Sequence, residues 1–558
     1  MKKIAIAVSA LLLLVLGARS GIEWVLMNHP AALKWVASLR DPTGPTRKVH
    51  WDRGPEHPQA APGERPPNVV VILVDDLGIN DLDWHGGGIA GGVVPTPNID
   101  SLARDGADFT AGYAGNATCA PSRAALMTGR YPIRFGFEST PAPASMGKFA
   151  VSFRAEAGGR SAPPSVFHED LVDQVPPMDE QGMPPSERTL AELLKDRGYH
   201  TLMFGKWHLG AVPGMRPEDQ GFDEVLGFYA GGSMYADPDD PGIVSARIPF
   251  DPIDNFVWAV LPFAVRYTGG PRFTPPSYMT DYLSDQAVAA IEANRNRPFF
   301  MYLAYNAPHN PLQAPRADYD ALAGIDDHAT RVYAAMIRNL DRGVGRVLAA
   351  LEANGLTENT LVVFSSDNGG AHYIGVPGLN DPYRGWKMTF FEGGLRSPFF
   401  LKWPVRIPAG TVVDVPVAHI DVLPTVAEAA GARLPADRKI DGVSLLPWAE
   451  GHGTGPPHEA LFWRSGHYQS VRAGGWKLQR NARAPGPWLY ELATDPTERT
   501  NLADTRPDKL AELTARLDAM QTELGPPAWP AIVEAVIPVD RTLKEPPVAG
   551  ETYVYWPN

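Results

Sequence analysis

The chain has 558 residues, 44% apolar and 20% charged, with a formal net charge of −13 and one cysteine. The length exceeds one small core, and ordinary apolar content with 54 glycines and 56 prolines excludes a low-complexity chain while predicting long, shaped loops. The acidic balance excludes a typical nucleic-acid binder and argues against long polyanionic substrates, although a local basic pocket can still hold one small anion.

Lys2 and Lys3 precede the apolar run Ile4 to Leu16, and Ala18-Arg19-Ser20 is a small-x-small cleavage candidate. Residues 1–20 therefore read as an export signal, which predicts a periplasmic or secreted protein. The run is shorter than the ~20 residues of a spanning helix and Arg19 interrupts it, so cleavage is favoured over an uncleaved anchor. No cysteine near the signal offers a lipid attachment site, and the single Cys119 excludes an intrachain disulfide.

Residues 21–67, rich in Pro, Gly and charge from 41 onward, read as an N-terminal segment and linker. At Asn68 the pattern becomes a continuous apolar run, the signature of a strand buried on both faces of a parallel sheet. Similar runs follow at Thr201–Phe204, Phe299–Ala304, Leu361–Phe364 and Phe399–Leu401. Helices are predicted between them at Pro97–Arg104, at Glu187–Arg197 capped by Ser186, at Asp281–Asn294 and at Arg331–Asn354. Strands alternating with helices give an α/β fold with a mostly parallel sheet. Segment 141–185 reads as an aperiodic insertion loop. Segment 253–266 is too short to span a membrane; plain core is preferred to a lid or a membrane-touching patch. From 456 the pattern shifts to short strands at Ala460–Arg464, Tyr468–Arg472 and Trp476–Gln479, with a Gly474-Gly475 turn and a helix at Lys509–Leu524. The predicted division is a catalytic domain over 68–455 and a C-terminal α+β subdomain and tail over 456–558.

Asp75-Asp76 closes the first buried strand, at the edge where α/β sheets bind ligands. Adjacent carboxylates there call for a cation, and hard oxygens suit Ca²⁺ or Mg²⁺. Asp367-Asn368 ends another strand, so the two pairs can share one ion; either alone could be a turn or a cap. Cys119-Ala120-Pro121-Ser122-Arg123 starts a helix, with Pro121 suited to its first turn. Cys119 then sits where backbone N–H groups favour an anion, or is a buried structural thiol.

The Cys-x-Pro-Ser-Arg segment resembles the signature of the type I, formylglycine-dependent sulfatase family, arylsulfatase-like. Further segments resemble that family in order: VILVDDLG at 71–78, GKWHLG at 205–210, Pro308-His309, SSDNGG at 365–370 and GWKMTFFEGGLRSP at 385–398. The tail from Trp476 to Leu502 also resembles the family's C-terminal region. The resemblance spans most of 68–505. It implies an alkaline-phosphatase-like fold: a large, mostly parallel mixed sheet flanked by helices, plus a small C-terminal α+β subdomain. It further implies that Asp75, Asp76, Asp367 and Asn368 hold Ca²⁺ (or Mg²⁺), which Cys119 also touches. Cys119, oxidised to formylglycine by a maturation enzyme, would supply the nucleophilic hydroxyl. Arg123 would steady it, and Lys206 and Lys387 would clamp a small sulfated substrate. His208 would hydrogen-bond the second hydroxyl and help remove its proton, and His309 would protonate the leaving alcohol. One hydroxyl of the hydrate attacks sulfur; the other then expels sulfate and restores the aldehyde. Competing expectations are a phosphonate or phosphate ester hydrolase, and a silent binder of sulfated ligands if Cys119 stays a thiol. His85-Gly86-Gly87-Gly88 lacks a matching Gly-x-Ser-x-Gly. The sequon Asn116-Ala117-Thr118 abuts Cys119, and His419-Ile420-Asp421 reads as structural.

Overall fold

Valine, isoleucine and leucine fill Val69 to Val74, and all eight residues of Asn68–Asp75 are buried. Only a strand covered on both faces allows that. In the computed structural model, which describes residues 39, 41–58, 64–157 and 163–558, this strand, β1, lies at the centre of a nine-stranded sheet. The others in chain order are β2 (Ala107–Phe109), β3 (His200–Lys206), β4 (Glu224–Phe228), β5 (Arg266–Tyr267), β6 (Phe299–Pro308), β7 (Thr360–Ser366), β8 (Phe399–Lys402) and β9 (Thr411–Val413). They are ordered β9-β2-β8-β7-β1-β6-β3-β4-β5. Strands β7, β1, β6, β3 and β4 run parallel, while β8 is antiparallel to β7 and β5 to β4. The five apolar runs of the sequence occupy five adjacent positions, β8-β7-β1-β6-β3.

Among the described residues the longer helices of the flanking layers and the insertions are α1 (Pro97–Arg104), α2 (Cys119–Thr128), α3 (Ala144–Ala157), α4 (Leu190–Lys195), α5 (Pro252–Val260), α6 (Met279–Asn294), α7 (His328–Ala353), α8 (Val422–Ala430) and α9 (Pro507–Glu523). Successive side chains of β1 point to opposite faces. Val70, Ile72 and Val74 join a core with Ala287 of α6 and Ile337 and Leu340 of α7. Val69, Val71 and Leu73 join the opposite core with Ala124 of α2, Leu194 of α4 and Val426 of α8.

After residue 460, strands β10 (Leu461–Ser465), β11 (Tyr468–Ala473), β12 (Trp476–Asn481) and β13 (Trp488–Glu491) form an antiparallel sheet. Leu513 and Leu517 of α9 cover its Val471, Leu478 and Leu489. The turn between β11 and β12 needs positive φ at both central residues, and Gly474 (53°) and Gly475 (81°) supply it. The fold is thus a mixed, mostly parallel sheet between helical layers with a small C-terminal α+β subdomain.

Three expectations are corrected. The cap of α4 is Thr189 rather than Ser186: its side chain accepts from Glu192 N, and Glu192 reaches back to Thr189 N. Segment 141–185 is not aperiodic, because it contains the 14-residue helix α3. Segment 253–266 is not plain core: Asp251 caps α5, and Ile253, Phe256, Val257 and Val260 are only half-buried. The export signal lies outside the described residues.

Candidate active site

Four neighbouring parallel strands end at one edge of the sheet. Strand β7 leads into Asp367, β1 ends in Asp75, β6 leads into His309, and β3 ends in Lys206, two residues before His208. Val74 pairs with Ser366, so the pairs 75–76 and 367–368 emerge side by side. The N-terminus of α2 brings Cys119 and, one turn on, Arg123 beneath them; the loop after Gly385 brings Lys387 from above. All ten predicted site residues therefore converge.

The contacts are close and buried. Lys206 Nζ donates to Asp75 Oδ2 at 2.7 Å. Arg123 Nε donates to Asp367 Oδ2 at 2.9 Å, and its Nη1 to the Lys206 carbonyl at 3.0 Å. Asp76 receives Asn368 Nδ2 on Oδ1 at 2.7 Å and Lys387 Nζ on Oδ2 at 2.8 Å. The same ammonium is 3.3 Å from Cys119 Sγ. His309 Nε2 lies 3.6 Å from Asp76 Oδ2. Ligand atoms of Asp75, Asp76, Cys119 and His309 all lie within 4.8 Å of one another. Asp367 falls outside that set, its carboxylate held by Arg123 and by the Asp76 amide, which donates to Oδ1 at 3.2 Å.

Two buried oxygens at this edge, Asp75 Oδ1 and Asn368 Oδ1, have no hydrogen-bond donor. Such groups are costly unless something fills them. Both are hard donors, and with the Asp76 carboxylate they fit a divalent cation of the Ca²⁺ or Mg²⁺ kind.

Comparisons with known proteins settle the family. The sulfatase family model matches residues 67–432, and the model of the N-sulphoglucosamine sulphohydrolase C-terminal region matches 384–524. Steryl-sulfatase of Mus musculus is 33% identical over 551 residues, covering 82% of each chain. N-acetylgalactosamine-6-sulfatase of Canis lupus familiaris is 33% identical, covering 75% of this chain and 72% of its own. The chain belongs to the sulfatase family. Among solved structures, Ps i-CgsB in complex with k-i-k-neocarrahexaose is 30% identical with a TM-score of 0.68, over 83% of this chain and 95% of that one. The protein is a sulfuric ester hydrolase. A phosphonate monoester hydrolase from Silicibacter pomeroyi, 20% identical with a TM-score of 0.57, shares the fold.

Burial and neighbouring charges shift the ionisation of the groups in this cluster of the sulfatase. Burial pushes the Cys119 thiol up to about 12, despite Lys206 and Lys387 nearby. A thiol held so high is a poor nucleophile at neutral pH unless a cation binds it as thiolate. Burial alone would raise the Asp76 carboxyl, but Lys387 and His309 outweigh that and hold it below the ordinary carboxylate range. Asp367 is lifted to about 6 by burial and by Asp75, with Arg123 opposing. Burial and the cations Lys206, Arg123 and Lys387 hold His208 well below its usual range. Burial brings His309 down to about 3. Both imidazoles are neutral at pH 7.

Three of the six non-glycine residues with positive φ among the described residues lie here: Asp76 (63°), His208 (61°) and Met388 (69°). Such conformations cost energy and concentrate at functional sites. Tyr373 was not singled out from the sequence. Its hydroxyl donates to Asp76 Oδ2 at 2.9 Å and lies 3.3 Å from Lys387 Nζ. No residue pattern marks it; only folding brings the 3₁₀ turn His372–Ile374 over the site. His419 is structural, as expected: it bridges Ser122 Oγ at 3.0 Å and Ser365 Oγ at 2.8 Å. Asn116 is 1% exposed and donates to the Arg464 carbonyl, so its sequon is closed to a glycan.

Proposed function

We propose that this protein cleaves sulfate monoesters with residue 119, converted from cysteine to formylglycine by a maturation enzyme, as nucleophile. The observation that carries this reading is the Lys387 ammonium, which joins Asp76 (2.8 Å) to Cys119 (3.3 Å) inside the carboxylate cluster. Asp75, Asp76, Asp367 and Asn368 would hold a divalent cation, Ca²⁺ in the first instance and Mg²⁺ as the alternative, with residue 119 touching it. When bound, the ion supplies charge neutralisation for the ester and for residue 119. A formylglycine hydrate supplies two hydroxyls on one carbon, one to attack sulfur and one to release sulfate.

The chain's own residues do the rest. Lys387 and Lys206 hold sulfate oxygens and oppose the charge that grows in the transition state. Arg123, fixed on Asp367 and on the Lys206 carbonyl, keeps the N-terminal turn of α2 in register with β3 and β7. His208 is neutral, and its Nδ1 has no hydrogen-bond partner; it serves residue 119 as proton acceptor. His309 stands beside Asp76 and delivers a proton to the leaving oxygen, since a bound sulfate beside it favours its charged form. Residues 1–20 direct export, and the protein works in the periplasm or after secretion. No helix of the described residues is long and apolar enough to cross a membrane. Residues 68–455 form the catalytic domain and 456–558 the C-terminal subdomain and tail.

Release of inorganic sulfate from 4-nitrophenyl sulfate tests the assignment. Cys119→Ser, Asp367→Ala and Lys387→Ala are each expected to lower kcat at least about 100-fold, the scale of losing one preorganised charge-stabilising group, with circular dichroism unchanged. Chelation should abolish activity and Ca²⁺ restore it. Near-normal turnover by any of the three variants would remove that residue from its role.

A further inference from the structure

A cavity of about 520 Å³ opens above the catalytic cluster, with Cys119, His208, His309, Tyr373 and Lys387 in its wall. That volume is within the roughly 300–1,000 Å³ of small-molecule pockets. Three segments distant in sequence build the rest of the wall: Met146 and Val151 on α3, Phe256 and Val260 on α5, and Trp529 and Ile532 near the C-terminus. The first two are the insertions that sequence patterning read as an aperiodic loop and as core; the third belongs to the C-terminal tail.

The wall offers little to a hydroxylated ligand. Gln181 spends its amide on Ala142 and on the Pro176 carbonyl. Asn558 spends its own on the backbone of Thr140, and Asp251 caps α5. Among the described lining residues Lys387 is the only lysine or arginine, so these residues offer a second sulfate on the substrate no further counter-charge. The buried, unpartnered side-chain hydroxyls of the wall are Thr118 Oγ1 and Thr140 Oγ1, so burying a sugar ring with several hydroxyls there leaves most of them unpaired, which is costly in an apolar site. A neighbouring cleft beyond His208 does contain arginines. Arg266 and Arg272 there are held by Asp41, and Arg216 donates to the Ala211 carbonyl at 2.8 Å.

Resting on the sulfatase reading, we infer that the alcohol portion of the substrate is a bulky apolar group, aryl or polycyclic, lodged between α3, α5 and the C-terminal segment. The relatives do not decide this, since a steryl- and an N-acetylgalactosamine-6-sulfatase match at equal identity. The cavity wall does.

The test is a series of 4-alkylphenyl sulfates, methyl to hexyl, beside N-acetylgalactosamine 6-sulfate. The leaving phenol hardly changes along the series, so kcat/KM reports burial of the chain. It is expected to rise about threefold to fourfold per methylene until the cavity fills, the rate equivalent of burying one CH₂. Phe256→Ser and Val260→Asp should flatten that slope, with thermal melts confirming that both variants fold. A flat series in the parent enzyme, or faster turnover of the sugar sulfate, overturns the inference and leaves the sulfatase reading intact. No sulfate release from any of these esters overturns both.

Discussion

His419 shows how a buried side chain carries both architecture and a pH signature. It joins Ser122 of α2 to Ser365 of β7, and burial holds its pKa down to about 4. The folded value is depressed below the ordinary 6.5, so the folded protein binds fewer protons than the unfolded chain between those values. Its contribution is fully present above about pH 6.5 and is lost as the pH falls towards 4. A depression of that size is equivalent to roughly 3 kcal/mol. Urea midpoints measured at pH 7.5 and 5 should fall on acidification, and the fall should be smaller in His419→Gln. An equal fall in both proteins would show that another group carries the acid sensitivity. At the same scale, Asp75 and Asp76 were legible as adjacent carboxylates at a strand end and Cys119 as a helix-start thiol, whereas Lys387 was picked out through the resemblance of its segment to the sulfatase family. Tyr373 was not, because a single tyrosine in a loop carries no pattern until the fold sets it on Asp76.

At the scale of elements, β1 and β7 were readable because burial on both faces forces continuous apolar sequence. The one-edge convergence of Asp75, Lys206, His309 and Asp367 follows from parallel pairing of their strands, a property that individual strand patterns do not contain. Helix α5 was misread for a physical reason. Its run IDNFVWAV is apolar enough for core, yet α5 leaves Ile253, Phe256 and Val257 half-buried around a cavity. An apolar face turned to a ligand looks the same in sequence as one turned to protein. Helix α3 escaped notice because its segment is hemmed by Pro141, Pro143, Pro163 and Pro164, which read as loop. The cap of α4 moved from Ser186 to Thr189 because Glu192 completes a reciprocal box only with Thr189.

The C-terminal subdomain is tied to the catalytic loop through a buried charge cluster. Lys477 on β12 is fully buried, 2.9 Å from Glu392 and 3.2 Å from Glu498. Glu392 lies five residues beyond Lys387, so the subdomain braces the loop that presents the ammonium. Lys477→Met takes the shared ammonium from both carboxylates and leaves Glu392 with Arg396 at 3.7 Å; the loss of one partner from a buried pair costs about 3–5 kcal/mol. Thermal denaturation should show that loss together with reduced turnover; an unchanged melting temperature would remove the brace from the account. The same subdomain and tail supply Trp529 and Ile532 to the cavity beside Cys119, so both the loop and the cavity depend on it. Seven stretches of chain, from β1 to the loop at 387, thus meet around one side chain, and the chemical identity of that side chain decides the account. Peptide mass spectrometry of the fragment spanning residue 119, taken from catalytically active enzyme, reads it directly. The account predicts the aldehyde in proportion to specific activity; full sulfate release by protein carrying only the intact thiol would contradict it.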